Sequence, residues 1–583
     1  MFFRSFFAAL LALFVFTVLG ILFFVVILAS SSEEVVIRNN SVLHLKLDAQ
    51  ISELEQENPF AGFPFGGSQA PQIGLMQLKE AIHHAQDDDK IQGIYLEVSY
   101  PMTGFSTLEE IRHALIEFRK SGKWVIAYNE VMSEGAYYLS SAADKVFIHP
   151  EGEVEFNGLT AEIAFFKRLF DKLEIKPQVF RVGEFKSAVE PFLLEKMSPE
   201  NRQQLTELVN SINDYMLERI AEARNIPAEK LKELSDNMTV RDARSAKEAG
   251  LVDELYYHDQ FLEEVRNRLD SGARSRKINF VKYGKYRKSF TEVNTSGNEI
   301  AVIVADGTIM PGDANQQDHI IGADTFVEEI RKARENKDVK AIVLRVNSPG
   351  GEFRASDMMW REVTLASQAK PVIASMSDYA ASGGYYLAMG CDTIVAQPHT
   401  ITGSIGIFAV MFDLSEFMGD KLGITFDEVK TGKYGEIFTV SRPLTEAEKN
   451  FWQKELEKHY ETFTAKAAEG RDVAVEDIKK VASGRVWTGA QARDRKLVDI
   501  MGGFDDAVRI AAEKAGVSDD YKLRFYPEVL PFYEQLIRQF EADAEAGAIQ
   551  SELGHYYIYY QQMQQLKTYQ GAQARMPFQL QIH

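Results

Sequence analysis

Apolar positions are distributed unevenly along this chain, and the longest run comes first. Phe6 to Ala29, FFAALLALFVFTVLGILFFVVILA, carries no charge. As a helix it is long enough to cross a hydrocarbon core of about 30 Å, and it exceeds the apolar core of an ordinary cleaved signal peptide. It therefore predicts an uncleaved anchor, although LASSS at 28–32 resembles a small-residue cleavage site. Arg4 precedes the run while Glu33 and Glu34 follow it, which places the amino terminus in the cytoplasm and the body on the exported side. Later apolar runs are short. AIVLRV (341–346), PVIASM (371–376) and TIVAQP (393–398) are β-rich and nearly all apolar, as strands buried on both faces are. They alternate with helical patterns, which predicts α/β layers with parallel pairing.

The pattern repeats. DDKIQGIYLEVSYP (88–101) matches NKDVKAIVLRVNSP (336–349), and EGAYY (134–138) matches SGGYY (382–386). Pro101 and Pro349 lie 248 residues apart, as do Tyr137 and Tyr385; Asp253 and Asp499 of two LVD stretches lie 246 apart. A nearly constant offset through separate stretches marks a duplicated module. The expected organisation is an anchor (1–30), an N-terminal module (31–290), a C-terminal module (291–515) and an extension (516–583) rich in aromatic residues and glutamine. The Pro-, Gly- and Phe-rich stretch 58–72 reads as an exposed loop.

Composition narrows the function. A formal net charge of −20 argues against a nucleic-acid partner, and the locally basic stretch 275–289 reads as a solvated strand or linker. One cysteine, Cys391, excludes an intrachain disulfide and a multi-cysteine metal site. Neither a histidine pair with ligand spacing nor a phosphate-binding loop is present, so no metal or cofactor is expected.

Two glycine turns remain, NSPGG (347–351) and ASGGYY (381–386). Each ends a predicted strand, and glycines let backbone N–H groups approach a ligand closely. Together they can form an oxyanion hole, worth about 3–4 kcal/mol per donor, beside an exposed Ser382. The nearby histidine, His399, has no local acidic partner. A lysine serves as base if burial keeps it neutral, and Lys186 in VFRVGEFKSAVEPF (179–192) sits among apolar residues. Aligning the repeats puts Lys186 opposite Gly435 and Ser382 opposite Glu134. The serine survives in one module and the lysine in the other.

FRVGEFKSAVEPF, RVNSPGG, ASGGYY and TGSIGIF resemble the signal peptide peptidase A family, in its long, duplicated, membrane-anchored form. The likeness runs from the anchor through MGGFDDAV (501–508). It implies tandem modules of the Clp protease/crotonase fold and a serine endopeptidase with a Ser–Lys dyad. By that resemblance Ser382 is the nucleophile, Lys186 the general base, and Ser404 orients the lysine, while Gly383 with Gly351 or Gly350 supplies oxyanion N–H groups. It also implies a homotetramer at the bacterial inner membrane, its catalytic body periplasmic, acting on signal-peptide remnants and similar hydrophobic peptides. Two other readings compete: a non-catalytic membrane-tethered scaffold, and a crotonase-like acyl-CoA enzyme, whose thioester enolates also suit glycine turns.

Overall fold

The computed structural model describes residues 4–7, 10–17, 19–20, 36–55, 72–269, 277–290, 294–313, 319–518, 520–527 and 571–576. The loop expected at 58–72, save its last residue, and most of the extension lie outside these. So does residue 21 onward of the expected anchor. Among the described residues no helix is long and apolar enough to cross a membrane.

The repeat is visible strand by strand. Strands beginning at Ile91, Trp124 and Lys145 have counterparts at Val339, Val372 and Thr393, each 248 residues on. The first half builds an all-parallel sheet of six strands in the order Glu254–Leu255, Lys145–Val154, Trp124–Met132, Ile91–Glu97, Ser41–Lys46, Asn279–Lys282. The last of these lies within the basic stretch 275–289, expected as a solvated strand or linker, and a short helix, Tyr283–Arg287, follows it. In the second half, Val372–Ala381, Val339–Ser348, Glu299–Asp306 and Lys522–Tyr526 run parallel in the same order, so this sheet continues past residue 516.

Each half also carries one helix of 26 residues, Pro199–Arg224 and Glu446–Arg471. Ser198 and Thr445 cap their first turns with side-chain oxygens, supplying an acceptor to otherwise orphaned N–H groups. Both end on a left-handed residue, Asn225 and Asp472, which stops further helix growth.

The halves share one core. Ile300, Val302, Ala341, Val343 and Ile373 of the second sheet, with Phe504, Ala507 and Ala511 of the helix Phe504–Ala515, belong to the same buried cluster as Leu43, Leu78, Ile94 and Leu115 of the first half. One strand crosses over altogether. Lys176–Val182 leaves the first half and pairs antiparallel with Ile407–Asp413 of the second, Val182 opposite Ile407. It thereby enters a small six-membered sheet ordered Ile320–Gly322, Thr308–Met310, Gly350–Glu352, Gln573–Arg575, Ile407–Asp413, Lys176–Val182. This crossover carries Lys186 to the second half.

Candidate active site

Ser382 follows the strand Val372–Ala381 directly, with φ 55° and ψ −110°. Such a conformation costs a non-glycine residue about 1–3 kcal/mol and persists only when neighbours fix it. Here the Ser382 N–H donates to Gly403 O at 2.8 Å, and the Tyr386 N–H donates to Ser382 O at 2.8 Å. The short helix Gly383–Ala388 then packs so tightly that a Cβ on Gly383 would lie 2.6 Å from Ser356 Oγ, and one on Gly384 2.6 Å from Ser348 O. The two glycines of SGG therefore serve packing as well as access. Glu134, opposite Ser382 in the repeat, has ordinary backbone geometry. Its buried carboxylate accepts from the Asn157 and Gly158 N–H groups at 2.7 Å each, and burial raises its pKa. The strained turn exists in the second half alone of this pair.

Lys186 is held from two directions. At Gly183 (φ 111°) a Cβ would lie 2.4 Å from Ser483 O, and the Phe185 N–H donates to the same oxygen at 3.0 Å. On the other side, the Gln204 amide donates to Phe185 O at 3.2 Å and Ser187 Oγ at 2.9 Å. Glu190 accepts from Ser198 Oγ at 2.6 Å and the Asn201 amide at 2.9 Å. The residues of GEFKSAVEPF thus tie the lysine loop to the long helix behind it.

The Lys186 ammonium nitrogen is 2.9 Å from Ser382 Oγ, 3.0 Å from Ser404 Oγ and 3.1 Å from Ser404 O. All three residues are fully buried. Among the described residues no carboxylate lies within ion-pair distance of Lys186, and the Phe408 ring sits 5.9 Å away. Desolvation without a counter-ion pushes the lysine well below its ordinary pKa. A neutral amine has two N–H donors and one lone pair. Two donors toward Ser404 leave the lone pair for the Ser382 hydroxyl. Ser404, itself at φ 51°, is fixed by its N–H donating to Arg485 O at 2.7 Å. Gly435, the repeat counterpart of Lys186, lies exposed and away from this cluster.

The SPGG glycines divide their tasks. The Gly350 N–H donates to Ser348 Oγ at 3.2 Å inside the turn, while φ 95° and the absence of a Cβ leave room beside the Gly383 nitrogen, which a Cβ would approach to 2.6 Å. Both glycines are registered against the antiparallel strand Gln573–Arg575, Gly350 opposite Arg575 and Gly351 opposite Ala574. His399 is remote in chemistry: buried among Phe105, Tyr138 and Tyr215, it has no partner for either ring nitrogen among the described residues, and desolvation pushes its pKa down to about 3. Cys391 is buried, as expected of a structural thiol.

Two contributors escaped sequence reasoning. Gly484 (φ 78°), where a Cβ would lie 2.6 Å from Lys186 Cβ, forms the floor under the lysine; SGR in VASGRVW was its only signal. The strand Gln573–Arg575 was the other.

The sequence model of Peptidase family S49 matches residues 117–271 and 364–518, one copy in each half. The chain belongs to peptidase family S49. Its relatives include "Serine protease SPPA, chloroplastic" of Arabidopsis thaliana, 36% identical over 82% of this chain and 70% of the relative. "Protease 4" of Salmonella typhi is 35% identical over 82% of this chain and 77% of its own. A shorter relative, "Putative signal peptide peptidase SppA" of Enterococcus faecium, is 30% identical over 42% of this chain and 72% of its own. As an S49 protein with such relatives, the chain is a serine peptidase. That sets aside the scaffold and acyl-CoA readings.

Proposed function

We propose that this S49 peptidase cuts peptide bonds with a dyad assembled from both halves of one chain, Ser382 as nucleophile and Lys186 as general base. The observation that carries this is the 2.9 Å approach of a fully buried lysine nitrogen, without a carboxylate partner among the described residues, to the hydroxyl of a serine on a strained turn. Neutral Lys186 takes the Ser382 proton as Oγ attacks the carbonyl carbon. The developing oxyanion is held by the Gly383 N–H together with that of Gly351, which here faces Ala574 of the neighbouring strand, while the Gly350 N–H is engaged by Ser348 Oγ inside its own turn. Lys186 then protonates the leaving amine, and water, deprotonated by Lys186 in its turn, hydrolyses the acyl-enzyme. Ser404 orients the lysine through its hydroxyl and carbonyl. The turn-and-strand arrangement supports the likeness to the Clp protease/crotonase fold.

The substrates we assign are hydrophobic peptides such as signal-peptide remnants, reached by a body tethered to the bacterial inner membrane through Phe6–Ala29 and facing the periplasm. The charge-free apolar run supports the tether. An apolar arm including Leu422, Phe426, Val429 and Phe438 lies exposed on the single chain, which supports association into the homotetramer.

A desolvated lysine base fixes the sign of the pH response. Its neutral fraction grows as pH rises, and a lowered pKa moves that growth below the usual lysine range of about 10.4. The expected profile of kcat/KM against pH on a hydrophobic fluorogenic peptide is a single rise to an alkaline plateau. A flat or falling profile between neutral pH and pH 10 contradicts the assignment.

A further inference from the structure

The two strands that end in the catalytic turns lose register just before them. Val346 of Val339–Ser348 faces Met376 of Val372–Ala381, yet Ser348 faces Ala380. Asn347 alone is therefore set against Ser377, Asp378 and Tyr379, a bulge of the kind that re-aims the chain beside active sites. The Asn347 side chain closes the gap. Its Oδ1 accepts from the Tyr379 N–H at 3.2 Å, and its Nδ2 donates to Asp306 Oδ1 at 3.1 Å. A backbone N–H only donates and an ionised carboxylate only accepts, so a single amide orientation satisfies both. On the other side the Gly307 N–H donates to Asn347 O at 2.9 Å, and Ser348 Oγ donates to Gly307 O at 2.6 Å. Asp306 and Gly307 thus hold the start of SPGG, while Asn347 links it to the strand that carries the nucleophile.

Other carboxylates surround Asp306. Glu53 reaches it from the first half, with its N–H 3.5 Å from Asp306 Oδ2. Asp378 lies on the nucleophile strand and is held by the opening turn of the helix Phe105–Lys120. It accepts from the Gly104 N–H at 3.2 Å, the Thr107 N–H at 3.0 Å and Thr107 Oγ at 2.7 Å. The Arg345 guanidinium is committed to Glu53 and Glu110. Among the described residues Asp306 has no ion-pair partner, and desolvation first, then the Glu53 charge, push its pKa up to about 7.

We propose that Asn347 is a positioning residue, holding the SPGG turn and the Ser382 turn at their working separation, and that Asp306 acts through it, tightening that hold when ionised. The inference rests on the dyad reading above. A hydrogen bond to an ionised carboxylate is roughly twice as strong as one to a neutral group. Ionised Asp306 therefore keeps the amide in place, and protonated Asp306 lets it loosen. The bridge is consequently tight above about pH 7 and slackens below it. The two turns have to be in place while the oxyanion develops, so a loosened bridge lowers kcat and leaves KM nearly unchanged. The alkaline rise set by Lys186 thus carries a second, smaller component from Asp306.

The test measures kcat and KM of the purified full chain in detergent on a hydrophobic fluorogenic peptide, from acidic pH to the alkaline plateau, with circular dichroism as the folding control. Asp306→Asn keeps an acceptor for the Asn347 amide but cannot ionise, so it is expected to behave as protonated Asp306 at every pH. Its kcat is expected to lie about fivefold below that of the unmodified chain on the plateau and to converge with it below neutral pH, KM being unchanged. Asn347→Leu, which removes the bridge, is expected to lower kcat by about tenfold to a hundredfold, again with little change in KM. Equal kcat of Asp306→Asn and the unmodified chain on the plateau overturns the proposal and leaves the dyad reading standing, because Asp306 would then act on Lys186 through its charge alone or not at all. An unchanged kcat in folded Asn347→Leu overturns it as well. An unmodified chain with no alkaline rise takes the dyad reading down, and this proposal with it.

Discussion

Lys186→Ala is expected to silence the enzyme as completely as Ser382→Ala, each lowering kcat by about four orders of magnitude or more, because groups acting as one unit fail together. The double variant should be no worse than either single one. The physical reason is the absence of a substitute base. His399 is kept neutral and apart in its aromatic box, and no other titratable side chain is within hydrogen-bond reach of Ser382 Oγ among the described residues. Because the dyad closes within one chain, co-assembling the two single variants should restore nothing. Steady-state rates on a hydrophobic fluorogenic peptide, with circular dichroism as a folding control, check both statements. Recovery on mixing would place the base on a neighbouring copy instead.

The second large effect concerns how the halves are joined. Arg345 is fully buried, donating to both Glu53 carboxylate oxygens at 2.8 and 3.3 Å, to Glu110 at 3.2 Å, and to the Ser375 and Ser377 hydroxyls. Glu53 and Glu110 come from the first half and Arg345 from the second. Burial alone would raise the Glu110 carboxyl, but the Lys79 and Arg345 charges outweigh it and hold the pKa at about 2. Removing one partner of a buried pair leaves an uncompensated charge and costs about 3–5 kcal/mol. Arg345→Met is therefore expected to destabilise by that amount in urea unfolding, with Glu53→Met in the same chain recovering much of the loss. Since Glu110 titrates below its unfolded pKa, its contribution is present above that value and fades only as pH falls toward about 2. A change under about 1 kcal/mol for Arg345→Met would mean that the halves do not depend on this junction.

Much of this was legible in the chain, for reasons that can be named. The duplication was readable because buried parallel strands leave dense apolar runs whose spacing survives divergence, as at Ile91 and Val339. The residues of the proposed dyad left a signal because the Lys186 loop and the Ser382 turn each need several fixed neighbours: Gly183, Ser187 and Glu190 around Lys186, and Gly383 and Gly384 beside Ser382. The crossover of Lys176–Val182 was hidden, since KPQVFRV looks the same whichever sheet it joins. The division between Gly350 and Gly351 was hidden too, because it depends on where Ser348 Oγ points. Arg345, in a run otherwise apolar, carried a signal that only its partners from the other half explain. Residues 571–576 carried none, because so short a strand takes its alignment from the strands it pairs with, Gly350–Glu352 and Ile407–Asp413.

The most direct test of the central claim is labelling of Ser382 by a serine-directed fluorophosphonate, followed by peptide mapping, in the unmodified chain and in Lys186→Met. This variant keeps the apolar stem and removes the base. The account predicts modification of Ser382 in the unmodified chain at a rate that rises with pH, and none above background in Lys186→Met. Equal labelling of the two chains would contradict it, because Ser382 would then be activated without Lys186.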